Sequence, residues 1–448
     1  MRLETRKLLD RAFSGAGLIA IGVMALVLVI ILAPIVSKGT GAFVFRGTIE
    51  HRKVMFDQWG RGNPEKFDAE KEEVSAARQP VYDMLSRFEA DLDEMPRSDR
   101  RPYKKPFREL EKALAGLLGP APGERTPVLI RQQYGATRWD RAQIKLDEVL
   151  YTQDWDYSNP DALGVLVKTP RKEAFENTSL EPLFGYLEEH VEEMLRPRMT
   201  FYWQFLTDTS KDSHIFGGIG PEVLGTIYLT IGAMIFAIPM GVIAAIYLCE
   251  YAKEGRVIGF LRTCISTLAG VPSIVFGLFG LAFFLNTIHV SDSKSVLAGS
   301  LTLSLLILPT VIRASEESIL SVPKAYKEAA LSLGAGRWHT VLTVILPAAL
   351  PGILTGVVIS MGRAAGETAP IIFTAAVSVG RPLLPSQALS QPTPALPWNI
   401  YNLCTEHEAV DEIRHVQYGM VFTLVALVLL LNVFAIVMRA KISKKLRG

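Results

Sequence analysis

Apolar residues fall in six blocks long enough to cross a bilayer, and one long polar stretch separates the first block from the rest. The first runs from Leu18 to Val36. The others lie near Val223–Leu248, Ile258–Leu285, Val296–Ile312, Leu350–Val377 and Tyr418–Met438. A bilayer core needs roughly 20 apolar residues in helical form, so each block is read as a spanning helix. Arg2, Arg6, Lys7 and Arg11 precede the first block. It is longer than the apolar core of a cleaved signal and long enough to span, which predicts a retained first helix. The polar stretch has helical patches at Pro64–Leu92 (interrupted by Pro80), Phe107–Leu118 and Ser179–Leu195. In the last, Leu183, Leu187, Val191 and Leu195 recur every four residues, with Glu188, Glu189, Glu192 and Glu193 between them. That period is one amphipathic helix.

The fold predicted is an all-α polytopic membrane protein in three parts. Residues 1–37 form a basic N-terminus and the first span, 38–216 a soluble, mostly helical insert, and 217–448 a core with five further spans.

Composition agrees with membrane residence: 49% of residues are hydrophobic and mean hydropathy is +0.25. Net charge is only +2, yet the insert holds 27 of the 47 basic and 31 of the 45 acidic residues. Charge also orients the chain. With the N-terminus in the cytoplasm, the inner segments carry Lys253 and Arg256, then Lys324, Lys327 and Arg337, then Arg439, Lys441, Lys444, Lys445 and Arg447. The short outer loops carry Lys294, Arg381 and Arg414. Six spans then put both termini in the cytoplasm and the insert outside. The three cysteines and the scattered His51, His190 and His214 show no disulfide or metal spacing. Pro382, Pro385, Pro392, Pro394 and Pro397 make the last outer loop stiff, as a spacer or a docking surface.

The fifth block holds the most informative polar residues. Arg363 and Glu367 lie near its middle, roughly 20 Å along a helix. Gly352, Gly356, Ser360, Arg363 and Glu367 share one face by spacing, so the charged pair is expected to face protein rather than lipid. Two readings stay open. The pair neutralises itself at i,i+4, or it lines a polar path in which the arginine fork holds a tetrahedral oxyanion. Arg313, Glu316 and Glu317 close the fourth block, where Arg313 and Glu317 can pair at i,i+4, as a snorkelled cluster or as a substrate group. The chain has no G-x-x-x-x-G-K-[ST] loop, so ATP-driven work needs an ATPase on another chain.

Between the fourth and fifth blocks lies a cytoplasmic loop, 322–347. Glu328-Ala329-Ala330 opens a helical turn, Gly334 breaks it, and Leu346-Pro347 marks the return to apolar sequence. This resembles the signature of ABC-importer permeases: E-A-A, three residues, G, nine residues, I-x-L-P, with Val344 in place of isoleucine. Gly270–Gly277, Arg363-Ala-Ala-Gly-Glu367-Thr-Ala-Pro370 and Gln391–Pro397 are similar to the A subunits of phosphate-specific (Pst) permeases. Sulfate and molybdate permeases usually show G-E-F-G where this chain has Gly366-Glu367-Thr368-Ala369.

The resemblance implies an inner-membrane, multi-pass permease of type I architecture that is not itself an enzyme and binds no nucleic acid. It implies a heterodimer with a second permease subunit, two ATPase subunits and a periplasmic phosphate-binding protein. No cofactor or metal is implied on this chain; ATP and magnesium belong to the partner ATPases. Glu328, Ala329, Ala330, Gly334, Leu346 and Pro347 take the ATPase-coupling role. Arg363, Glu367, Ser360 and Arg313 are the substrate-path candidates. The rival readings are a permease for another oxyanion and a membrane-anchored phosphate-status sensor or scaffold. The insert speaks for a sensor; the coupling signature speaks against it.

Overall fold

The structure, a computed structural model, describes residues 3–156, 164–407 and 410–446. It divides into two compact units, Phe43–Tyr202 and the remainder. The insert is thus narrower than 38–216, because residues 38–42 and, at the other end, 203–216 belong with the spans. Their backbone explains why: Ile219 donates to the carbonyl of Phe205 at 2.7 Å and Gly220 to that of Asp208 at 3.0 Å.

The first helix, α1 (Leu3–Gly39), exposes Leu18, Ile21, Met24 and Leu28 all round. A helix apolar on every face suits lipid.

The insert contains α2 (Ile49–Trp59), α3 (Pro64–Glu94), α4 (Arg97–Leu118), α5 (Trp139–Leu150) and α6 (Pro182–Leu195). Two ribbons join them. β1 (Val44–Gly47) pairs antiparallel with β4 (Arg198–Phe201), and β2 (Tyr151–Asp156) with β3 (Val165–Pro170). The periodicity of α6 is realised: Leu183, Leu187, Val191 and Leu195 are buried and the four glutamates are exposed. They pack on Phe88, Phe107, Phe175 and Leu110. Phe88 lies 5.2 Å from Phe107 and 5.6 Å from Phe175, ring to ring.

Pro80 does not interrupt α3. The carbonyl it leaves without a helical donor is that of Ala76, an exposed residue. Arg78 is the insert's keystone. Its guanidinium reaches Glu50 at 2.9 Å, the Leu118 carbonyl at 2.8 Å and the Met194 carbonyl at 3.0 Å. One buried cation therefore ties α2, α3 and the ends of α4 and α6.

In the other unit, a short hairpin of β5 (Ser210–Lys211) and β6 (Phe216–Gly217) leads to α7 (Gly220–Ile246), which ends in a π turn, Tyr247–Tyr251. Then come α8 (Arg256–Leu268), α9 (Ser273–Gly280), α10 (Val296–Leu320), α11 (Lys324–Ser332), α12 (Arg337–Thr340), α13 (Leu346–Gly366), α14 (Ala369–Thr374), α15 (Leu396–Thr405) and α16 (Arg414–Leu446). Among the described residues, five segments are long and apolar enough to cross a membrane: 11–42, 220–251, 296–320, 337–366 and 414–444. The expected span Ile258–Leu285 is instead a bent pair, α8 and α9 with its π-turn extension, folded by 102°. Gly270 and Pro272 explain the break, since proline lacks the donor and disfavours helix in the residue before it. Counted as one span, the pair brings the total to six.

The centre of this unit is a close stack of α7, α10 and α13. Where large side chains would hold helices apart, glycines let them touch. A Cβ on Gly232 would lie 2.2 Å from the Ser300 hydroxyl, and one on Gly356 2.2 Å from the Ala314 Cβ. Gly241 meets Val311 and Gly352 meets Ser318 in the same way. The Gly352–Gly356–Ser360 face thus packs on α10, as its spacing predicts.

Candidate functional site

The polar segment between α10 and α13 folds as the short helix α11. Pro323 precedes its first turn, where the missing donor costs nothing. Gly334 stops it, at φ +83°. The Gly334 N–H donates to the Leu331 carbonyl at 3.0 Å and the Ala335 N–H to that of Ala330 at 3.2 Å. This pair of bonds is the Schellman stop, and the left-handed residue in it favours glycine. The space around Gly334 is open, so conformation and not crowding selects it.

No residue of α11 is buried. Glu328 and Ala329 are exposed and Ala330 is half-buried. Tyr326, Leu331, Leu333 and Trp338 also face outward, Leu333 at 90% exposure. These side chains form an exposed apolar patch beside the short helix. Lys327 forms an ion pair with Glu250 at the end of α7.

After Gly336 one continuous helical segment runs from Arg337 to Gly366. Pro347 sits inside it without breaking it. The turn before it, Val341–Ile345, is a π turn, with the Leu346 N–H donating to the Val341 carbonyl. That wider turn relieves the clash and the lost bond that a proline causes in a regular helix. Leu346 and Pro347 are half-buried at this joint.

Arg363 and Glu367 do pair, Nε to Oε1 at 3.2 Å. They are not at the middle of a span, however. The helical segment begins at Arg337, 26 residues earlier, so Arg363 lies near its far end. The helix stops at Gly366, Glu367 is extended, and Pro370 opens α14. The expected single helix Leu350–Val377 is therefore two, because proline ends the first run. Glu367 leaves the helix face that Gly352, Gly356, Ser360 and Arg363 share. The Arg363 side chain is 41% exposed and that of Glu367 18%. Among the described residues, the two Nη groups of Arg363 have no hydrogen-bond partner. Ser360, one turn back, is fully buried and its hydroxyl has no partner either.

Arg313 does not pair with Glu317. It donates to the Ser266 hydroxyl on α8. The helix also runs on to Leu320, so Arg313 is two turns from its end. Instead Glu316, one residue earlier on the turn, is buried and faces Arg262 of α8 at 3.6 Å.

Sequence reasoning missed a second polar cluster at the start of α7. Glu222, His214 and Asn399 are all buried. Glu222 Oε1 lies 2.9 Å from His214 Nε2 and accepts from Asn399 Nδ2 at 3.1 Å. Asp212, Ser213 and His214 all have positive φ, and this tight hairpin turns the imidazole inward. Glu222 just before an apolar block was the one signal for it; the partners are too distant in sequence to read.

Residues 237–448 match the family described as binding-protein-dependent transport system inner membrane component. Residues 1–101 match one described only as a domain of unknown function. A probable ABC transporter permease of Bacillus subtilis, YqgI, is 36% identical over 253 residues, covering 54% of this chain and 85% of its own. The phosphate transport system permease PstA 1 of Mycobacterium tuberculosis is 33% identical over 231 residues, covering 52% and 72%. Among solved structures, a bacterial ABC transporter involved in alginate import overlays 52% of this chain and 81% of its own, at 16% identity and a TM-score of 0.40. That overlay is too loose to bear on mechanism.

Proposed function

The chain belongs to the binding-protein-dependent ABC importer permeases, in the branch of the Pst A subunits, and from that premise we propose that it carries inorganic phosphate inward by alternating access. The observation that carries this reading is one continuous path. An exposed helix stopped by Gly334 joins a single helical segment, which ends at an arginine with an open fork.

In this reading α11 docks on a cytoplasmic ATPase subunit. Glu328, Ala329 and Ala330 present the docking surface, Gly334 fixes its length, and Leu346-Pro347 carries its displacement into α13. Two ATPase subunits hold ATP and magnesium, and this chain holds no cofactor. A second permease subunit completes the path, and a periplasmic binding protein delivers phosphate from outside. Both termini lie in the cytoplasm, as the basic segments favour.

Arg363 is the anion-binding group. Glu367 engages only its Nε–H, which orients the guanidinium and leaves the planar Nη pair free for two phosphate oxygens. The unpartnered Ser360 hydroxyl is a further donor one turn away. Arg313 is assigned a different part: through Ser266 it holds α8 against α10 along the route.

The test is phosphate uptake by the complete complex in proteoliposomes. Arg363→Gln is expected to lower uptake about tenfold while the complex stays assembled, the scale of one lost charge-assisted pair. Gly334→Pro is expected to lose the ATPase subunit on purification. Uptake unchanged in Arg363→Gln removes phosphate from this site. Competition by sulfate or molybdate as strong as by phosphate makes the substrate another oxyanion.

A further inference from the structure

The ion pair between Lys327 and Glu250 joins α11 to a helix that is not its neighbour in the chain; 77 residues separate the two. The two partners sit in unlike surroundings. Glu250 lies on the π turn that ends α7, and its side chain is only 12% exposed. That turn is clamped. The Leu248 carbonyl accepts from Arg262 at 3.2 Å, and Arg262 in turn faces buried Glu316 on α10. Just before it, Ala245 and Ile246 pack with Ile319, Val341, Ile345 and Ile353. Glu250 is therefore a carboxylate on a rigid mount. Lys327 belongs to a helix that buries none of its residues. Besides packing on the π turn Val341–Ile345, α11 is tied at its middle to α7 by this ion pair.

We infer that Glu250 is a positioning residue for energy coupling: through Lys327 it fixes the pose of α11, so that a displacement of α11 enters α7 directly as well as α13. The glycine contacts between α7, α10 and α13 then move the three helices as one block. This rests on α11 being the ATPase-docking helix. Without the pair, α11 pivots on its ends and part of each ATP-driven stroke is lost. The Glu250 side chain is mostly enclosed, and the cation it holds is Lys327.

The experiment uses the full chain in its complete complex, reconstituted in proteoliposomes, and reads ATP hydrolysed per phosphate taken up. Glu250→Gln is expected to raise that ratio about threefold, the scale of a partly exposed ion pair, with the ATPase subunit still co-purifying. Lys327→Gln should do the same, the double variant should do no more than either single, and Glu250→Lys with Lys327→Glu should return the ratio toward the native value. An unchanged ratio in Glu250→Gln, or additive effects of the two singles, overturns the inference and leaves the docking helix standing. If Gly334→Pro also retains the ATPase subunit, the docking reading falls and takes this inference with it.

Discussion

The two compact units are built on opposite rules. In the insert, large side chains fill the interior: Phe88, Phe107, Phe175 and Leu110 are buried, and charge is kept outside except for pairs such as Arg78 with Glu50. In the other unit Phe276, Leu303 and Ile307 are buried as well, but the closest helix contacts are small and hydroxylated. Gly232, Gly356, Ala314, Thr230, Thr302, Ser315 and Ser360 line the helix contacts, while Phe260, Ile359, Leu430 and Phe434 face outward. Water drives large apolar groups inward in the first case. Lipid offers them an equally good environment in the second, so close approach of backbones decides the packing instead.

That contrast predicts opposite sensitivities to the same kind of change. Phe88→Ala empties the insert's core and is expected to cost about 3–5 kcal/mol. Hydrogen exchange in residues 43–202 of the full chain should show the loss there, with the spans unaffected. Gly356→Leu is the converse test. Its side chain would have to displace Ala314, and a cost of about 3 kcal/mol is expected, read as lower yield of folded protein in detergent.

Acidification offers a third test that is confined to the insert. Burial, then Arg138 and Arg52, push the pKa of His51 down from 6.5 to about 3. The folded insert keeps this imidazole neutral between those values while the unfolded chain protonates it. Its stability is therefore complete above 6.5 and falls as the pH drops toward 3. At about pH 5 the loss should be about 2 kcal/mol, and His51→Gln should flatten the slope. Smallest of all, Ile359→Ala removes a large side chain from α13 at an exposed position, and a change under about 0.5 kcal/mol is expected. A loss from Ile359→Ala as large as that from Phe88→Ala would erase the contrast.

What the sequence reveals follows the same division. Apolar run length places four of the six spans and catches part of a fifth, and the four-residue period of Leu183 to Leu195 yields α6, because both signals are local. The bend at Gly270–Pro272 and the stop at Gly366 lie inside apolar runs. Hydropathy is blind to such breaks; only Pro272 and Pro370 mark them. The Gly352–Gly356–Ser360 face is legible because helix spacing alone sets it. The Glu222–His214–Asn399 cluster and the Lys327–Glu250 pair are not, since each joins residues that only the completed fold brings together. Arg313 shows the limit of i,i+4 reasoning: a hydroxyl on a neighbouring helix outcompeted the carboxylate one turn away.

The π turns at Tyr247–Tyr251, Leu281–Leu285 and Val341–Ile345 each spend one residue more than an α-helix needs for the same stretch. Each is thus a place where the chain can shed a residue without shifting the helix on either side. A one-residue deletion within Val341–Ile345 should leave Arg337 and Arg363 facing as they do now, whereas the same deletion at Gly356 turns everything beyond it by about 100°. Length differences of one residue among importers of this kind are expected to gather at these three turns.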